Sequence, residues 1–178
     1  MHRHLIAILR GITTDEAAAV CDALLSAGIS QIEVPLNSPD PMCTIEMMVK
    51  QYGVDAFIGA GTVLTCADVD MLAEIGAHMV ISPNMNPEVI ARTKQLGMMS
   101  CPGILTPTEG FAALAAGADM LKLFPADIVG PSGVKALRAV LPADVKLAAV
   151  GGVGPGKLSV WAEAGITAFA IGSSLYKP

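Results

Sequence analysis

The chain has 178 residues, of which 53% are apolar, 15% charged and 4% aromatic. One domain of this size must therefore fill its interior with Ala, Val, Ile, Leu and its ten Met residues, the composition of an α/β protein whose sheet is buried on both faces. A net charge of −5 without any run of like charges excludes a nucleic-acid surface of clustered Lys and Arg, so any phosphate site must use backbone amides and helix ends.

In chain order, apolar runs predict strands at 5–9, 30–36, 56–61, 78–82, 98–101, 119–124, 146–150 and 168–171, with seven helices alternating between them. The helix starts are marked by hydroxyl-to-acid pairs at Thr13/Glu16, Thr65/Asp68 and Thr106/Glu109, the capping-box spacing. Asn86-Pro87 and Gly154-Pro155 place proline near a first helical position. The helix ends are marked by Gly28, Gly53, Gly76, Gly97, Gly117 and Gly165, each ahead of an apolar run and each expected to close its helix in the left-handed conformation.

Strict alternation of strand and helix, with right-handed crossovers, predicts a single closed (β/α)8 TIM-type barrel over residues 1–178. The first strand is not followed by G-x-G-x-x-G, which argues against a dinucleotide-binding sheet. Pro178 comes just after the eighth strand, so the predicted barrel lacks its final C-terminal helix. Met1-His2-Arg3-His4 leads into a strand pattern without a signal-peptide layout, and no apolar run is long enough to span a membrane. The expectation is a soluble cytoplasmic protein with neither a membrane nor a nucleic-acid partner. Cys21, Cys43, Cys66 and Cys101 form no C-x-x-C pair and are expected to be reduced, buried thiols.

In such a barrel the chemistry sits at the carboxyl ends of the strands. That end collects Arg10, Glu33, Asn37, Thr62, Pro83, Asn84, Pro102, Gly103, Lys122 and the glycine-rich segments after the last two strands. Lys122, inside Met120-Leu-Lys-Leu-Phe124, is a lysine in a strongly apolar strand, where lost hydration favours the free amine that attacks a ketone. A lysine there can also serve as a buried structural ion pair or reach the rim. Glu33 shares a strand face with Gln31 and Pro35, so its carboxyl points inward, either to move protons near the amine or to pair with Lys122 or Arg10. Lys146 falls at the amino end of its strand, and Lys50, Lys94, Lys135 and Lys157 fall on helices, expected to be solvated. His2 and His4 are terminal and His78 opens a strand at the opposite end, so none is expected to be a metal ligand. Val150-Gly151-Gly152 after strand seven and Gly172-Ser173-Ser174 after strand eight lie where barrels bind phosphate, beside a short extra helix.

LIAILRGI (5–12), IEVPLNSP (32–39), IGAGTVL (58–64), SPN (82–84), CPG (101–103), LKLFPA (121–126), AVGGV (149–153) and IGSSLY (171–176) together resemble the keto-deoxy-phosphogluconate/phosphogalactonate class I aldolases, in family order over essentially the whole chain. IEVPLNS, Val150 ahead of Gly-Gly, and FPADIVGP resemble the galactonate branch of that family. The resemblance implies cleavage of a phosphorylated keto-sugar acid to pyruvate and glyceraldehyde 3-phosphate. It implies Lys122 as the Schiff-base residue and Glu33 as acid and base through water. Arg10 and Thr62 would hold the carboxylate end, with Pro83, Asn84 and Val150 lining the site, and Phe124 would pack on the pyruvyl group. Gly151, Gly152, Gly172, Ser173 and Ser174 would bind phosphate. It also implies a homotrimer without metal or organic cofactor, and a final helix over strands eight and one whose absence would uncover apolar surface. A gluconate-type or dual-epimer aldolase, a phosphate-binding barrel isomerase or epimerase, and a shortened non-catalytic ligand-binding copy are the other readings. The isomerase class usually needs acids or metal ligands that this sequence lacks.

Overall fold

The computed structural model describes residues 4–178; the reading of His2 lies outside them. The strands are β1 (Leu5–Ile8), β2 (Gln31–Pro35), β3 (Phe57–Gly61), β4 (Met79–Ile81), β5 (Met99–Cys101), β6 (Gly103–Ile104), β7 (Leu121–Leu123), β8 (Leu147–Val150) and β9 (Ala168–Ile171). The helices are α1 (Thr14–Ser26), α2 (Pro41–Tyr52), α3 (Cys66–Glu74), α4 (Pro87–Gln95), α5 (Pro107–Ala115), α6 (Ala126–Arg138) and α7 (Leu158–Ala164), with a 3-10 turn at Pro155–Lys157 before α7.

All strands pair in parallel, in the order β5-β4-β3-β2-β1-β9-β8-β7-β6. The two ends of that order, β5 and β6, adjoin in sequence across Pro102, and this join closes the barrel. The expected single fifth strand is therefore two segments. Pro102 has no N–H to give to a ladder, yet its carbonyl accepts from the Lys122 N–H at 2.9 Å. The sheet thus passes from β4 to β7 around one proline.

Side chains alternate between two compartments. Inside the barrel, Ile6, Ile8, Met79, Ile81, Met120, Ala148, Ala168 and Ala170 form one buried cluster. Outside it, Ile32, Val34, Ile58 and Ala60 meet α1, α2 and α3, while Leu121, Leu123, Leu147 and Ala149 meet the helices of the other half. The outward residues of β1 and β9 are less open than the sequence suggests. Ala7 and Ile171 are 0% and 6% exposed, and Tyr176 and Phe169 pack against the flanking clusters.

All three capping boxes form, at Thr13/Glu16, Thr65/Asp68 and Thr106/Glu109, and Asn86 accepts from the Glu88 N–H at 3.0 Å. Five of the six helix-ending glycines have positive φ, from 76° at Gly76 to 112° at Gly165. Gly53 corrects the expectation. It stays right-handed at φ −62° because the last turn of α2 runs on into it, and a Cβ there would come 2.5 Å from the Val49 carbonyl oxygen. The α6 segment bends at Gly130 (φ 67°, ψ 168°) ahead of Pro131, the two residues least able to continue a helix.

The thiols also divide. Cys21 and Cys101 are buried and free, whereas Cys43 is exposed and Cys66 half-buried. Both sit on the first turns of their helices, whose buried faces carry Ile45 and Met48 in α2 and Val69 and Leu72 in α3. His78 is a structural residue at the amino end: its Nδ1 accepts from the Ile58 N–H at 3.0 Å and its ring stacks on Phe57 at 5.1 Å.

Helix capping gives a measurable contribution to this frame. In Thr106→Ala, the loss of the bond from Glu109 N–H to the Thr106 hydroxyl should cost about 1 kcal/mol. A thermal melt should show this as a decrease of roughly 2–4 °C.

Candidate active site

At the carboxyl end of the strands the barrel opens into a cavity of about 680 Å³. Lys122 and Glu33 lie on its wall. Lys122 points inward because Leu121 and Leu123, either side of it on β7, take the outer compartment at 0% exposure. Its register partners are Gly103 and Ala148, small residues that leave room for its stem. The side chain ends with Nζ 4.8 Å from the centroid of the Phe124 ring, within the range of a cation–π contact, and the residue is 7% exposed.

Glu33 is 2% exposed, between outward Ile32 and Val34 on β2. Its Oε2 has no hydrogen-bond partner. Burial pushes the carboxyl up from the ordinary 4.5 to about 7, with the positive charges of Lys122 and Arg10 pulling the other way. Among the described residues, no ion pair within 4.0 Å joins Glu33 to either cation. Glu33 is therefore a buried carboxyl without a close ion pair, placed to gain or lose a proton near neutral pH. Cys101, also inside the barrel, is pushed up to about 12 by burial and stays a neutral thiol.

Arg10 follows β1 and donates to Asn37 Oδ1 at 2.8 Å, so Asn37 orients the guanidinium at the cavity rim rather than touching Glu33. Thr62 follows β3 at φ 58°. A β-branched residue in the left-handed region is a backbone outlier, of the kind that clusters at functional sites. Pro83 lines the cavity, but Asn84 is exposed and outside its lining. The loop that carries both passes directly over Gly103, where a Cβ would collide with the Pro83 carbonyl. Asn84 is the one expected site residue that the structure does not bring to the cavity.

The glycine segments converge as expected on the far rim, with Val150, Gly151, Gly152, Gly172, Ser173 and Ser174 all lining the cavity. Gly151 and Gly152 have consecutive positive φ angles of 91° and 71°, which side-chain-bearing residues rarely adopt. At Gly152 a Cβ would also lie 2.7 Å from Asp127 Cγ. After β9, Leu175 and Tyr176 donate backbone N–H groups to the Gly172 carbonyl at 2.8 and 3.0 Å, winding residues 172–176 into a turn. The short helical element beside these loops is the 3-10 turn at Pro155–Lys157, between β8 and α7.

Lining residues missed in the sequence include Gly11, Tyr176 and Lys177. The Tyr176 hydroxyl donates to Glu16 Oε2 at 3.4 Å, which ties the last loop to the capping box of α1. Gly11 packs beneath Pro178 at φ 85°, and the available signal was a glycine directly after Arg10 at the end of the first strand. The competing lysines lie elsewhere. Lys50 pairs with Glu46 and Lys94 with Asp119, Lys146 is exposed just before β8, and Lys135 and Lys157 are exposed on α6 and the 3-10 turn. Among the described residues there is no group of three His, Cys, Asp or Glu that could hold a metal ion.

A buried lysine and a buried carboxyl lining the cavity of a parallel barrel, with glycine loops across the mouth, form the candidate site of a barrel enzyme. The family model for KDPG and KHG aldolases matches residues 1–177, and the chain belongs to that family. It is 50% identical over 173 residues to the 2-dehydro-3-deoxy-6-phosphogalactonate aldolase of Escherichia coli (strain K12), covering 97% of this chain and 84% of that protein. A solved structure described as native KDPGal superposes with a TM-score of 0.96 at 50% identity, covering 97% of this chain and 84% of that one. The KDPG aldolase of Legionella pneumophila, solved with pyruvate captured at low pH as a covalent carbinolamine intermediate, superposes with a TM-score of 0.88 at 25% identity and covers 96% of this chain and 82% of that one.

The raised Glu33 carboxyl has a consequence for stability. The folded chain holds a proton that the unfolded chain releases between pH 4.5 and about 7. Stability therefore falls as pH rises through that window and levels off above it. The full gap corresponds to roughly 3 kcal/mol. Urea denaturation at pH 5 and pH 8 should show this decline in the unmodified protein, and Glu33→Gln should abolish the part due to Glu33.

Proposed function

We propose that this chain is a class I aldolase that cleaves 2-dehydro-3-deoxy-6-phosphogalactonate reversibly to pyruvate and glyceraldehyde 3-phosphate, in the degradation of galactonate in the cytoplasm. The observation that carries this reading is the burial of Lys122 and Glu33 around one cavity, with two glycine loops at its rim. Membership of the aldolase family and the 50% identity to a galactonate-type enzyme support the choice of sugar. The IEVPLNS segment and Val150 ahead of Gly151-Gly152 support it independently.

The Lys122 amine attacks the C2 ketone to give a carbinolamine, which loses water to form an imine. The protonated imine accepts the electron pair of the C3–C4 bond as a base removes the proton of the C4 hydroxyl. Glyceraldehyde 3-phosphate leaves, and the three-carbon fragment stays on Lys122 as an enamine. Protonation of the enamine carbon and addition of water then release pyruvate and restore the amine. Glu33, close to neutral pH in its titration, serves these proton transfers through water.

Arg10 and Thr62 hold the carboxylate end, and Phe124 packs on the pyruvyl group. Gly151, Gly152, Gly172, Ser173 and Ser174 bind the phosphate with backbone amides and hydroxyls, a solution suited to a chain with no basic patch. Asn84, outside the cavity lining, has no assigned contact. The working unit is a homotrimer, and the reaction as written uses only protein side chains and water. No helix among the described residues is long and apolar enough to cross a membrane.

Incubation with pyruvate and borohydride should leave a reduced three-carbon adduct on Lys122, located by mass spectrometry. No adduct, or an adduct that persists in Lys122→Ala, would overturn the mechanism. Turnover of the two purified epimers should favour the galactonate substrate, and equal or reversed preference would reassign the sugar. Replacement of Gly152 by Val should raise KM for the phosphorylated substrate at least tenfold, because the positive φ and the Asp127 contact both exclude a side chain. Trapping of unphosphorylated pyruvate should be largely retained.

A further inference from the structure

We infer that Gly61 is a positioning residue for Glu33: the space its absent side chain would fill is the space the Glu33 carboxyl occupies. An ideal Cβ built on Gly61 falls on Glu33 Oε2, 2.5 Å from Cδ and 3.0 Å from Oε1, and these three carboxyl atoms are its nearest neighbours. Gly61 sits at the end of β3, opposite Pro35, while Glu33 pairs with Gly59. Gly61 is thus two residues beyond Glu33's partner and on the same, inward face, a diagonal neighbour across the two strands.

Backbone geometry does not require glycine here, since Gly61 is not among the glycines with positive φ. The other inward glycines differ. A Cβ on Gly59 would strike the Met79 carbonyl, and one on Gly103 the Pro83 carbonyl, so those two are required by the packing of main chain on main chain. Gly61 meets only the movable end of a side chain. A methyl group there is accommodated by swinging the Glu33 carboxyl away from β3, and the barrel is left intact.

This explains how a carboxyl can be buried with Oε2 unpartnered. The notch at Gly61 lets Oε2 lie against the strand. The charged or titratable groups that face it are Lys122 on β7, Arg10 after β1 and Cys101 on β5. A displaced carboxyl regains hydration, which favours its ionised form.

The inference rests on the role proposed for Glu33, and its test separates the two. In Gly61→Ala, turnover should fall about 100-fold, the scale of a misplaced acid–base group. The borohydride-trapped pyruvate adduct on Lys122 should still form, and adding Glu33→Gln should cause little further loss. Carbon-13 NMR of the Glu33 carboxyl, which needs no turnover, should show a midpoint near 7 in the unmodified protein and a lower one in Gly61→Ala. An unmoved midpoint with retained turnover would overturn the inference. Wild-type turnover in Glu33→Gln would instead remove the catalytic role of Glu33, while the NMR midpoint would still report on Gly61. If Gly61→Ala does not fold, Gly61→Ala/Glu33→Ala should, because the shortened residue 33 vacates the notch. A double variant that also fails to fold would overturn the inference.

Discussion

Closure of the barrel buries whatever β2 and β7 turn inward, and the chemistry of the site depends on that constraint. β1 to β4 and β7 to β9 are each paired on both sides, so their alternate residues have only two destinations, the helix layer or the barrel interior. Ile32, Val34, Leu121 and Leu123 are drawn to the helix layer by apolar burial. Glu33 and Lys122 are carried into the interior by the same alternation. Their burial is a by-product of packing that the apolar residues stabilise, and it gives Glu33 a titration near neutral pH.

The rim follows a different rule. Where each strand ends, backbone geometry takes over from side-chain alternation. Thr62, Gly151 and Gly152 all have positive φ, and the Pro83 carbonyl lies close over Gly103. These segments turn sharply at one level of the barrel, so residues from strands far apart in sequence meet around one cavity. Under the proposed function, a chain with so few charges binds its phosphate by such convergence of backbone groups.

Much of this was legible in the sequence because the signals were local. Three Thr-to-acid spacings became three capping boxes, and five of six glycines ended helices as left-handed residues. Gly53 differed because the helix end there continues right-handed, a choice made by the turn that follows. The fifth strand was half seen, since Pro102 masks a ladder that bends around it. Lys122 and Glu33 stood out as ionisable residues in apolar strands. Asn84 was drawn into the site by its neighbour Pro83, yet its loop crosses Gly103 and leaves it outside. Asn37 was set beside Glu33 on one strand end, and only the folded chain shows it holding Arg10. Gly61 was read simply as part of a strand, because its meaning lies in a carboxyl on the neighbouring strand.

The central claim is that an amine and a carboxyl buried around one cavity act on adjacent atoms of the same pyruvyl group. Exchange of the pyruvate methyl protons for deuterium in D2O, followed by proton NMR, tests this directly, since it requires both imine formation and proton transfer. The account predicts rapid exchange with the unmodified protein, none above background with Lys122→Ala, and exchange slowed about 100-fold with Glu33→Gln. Exchange that proceeds at the same rate in all three proteins would contradict it.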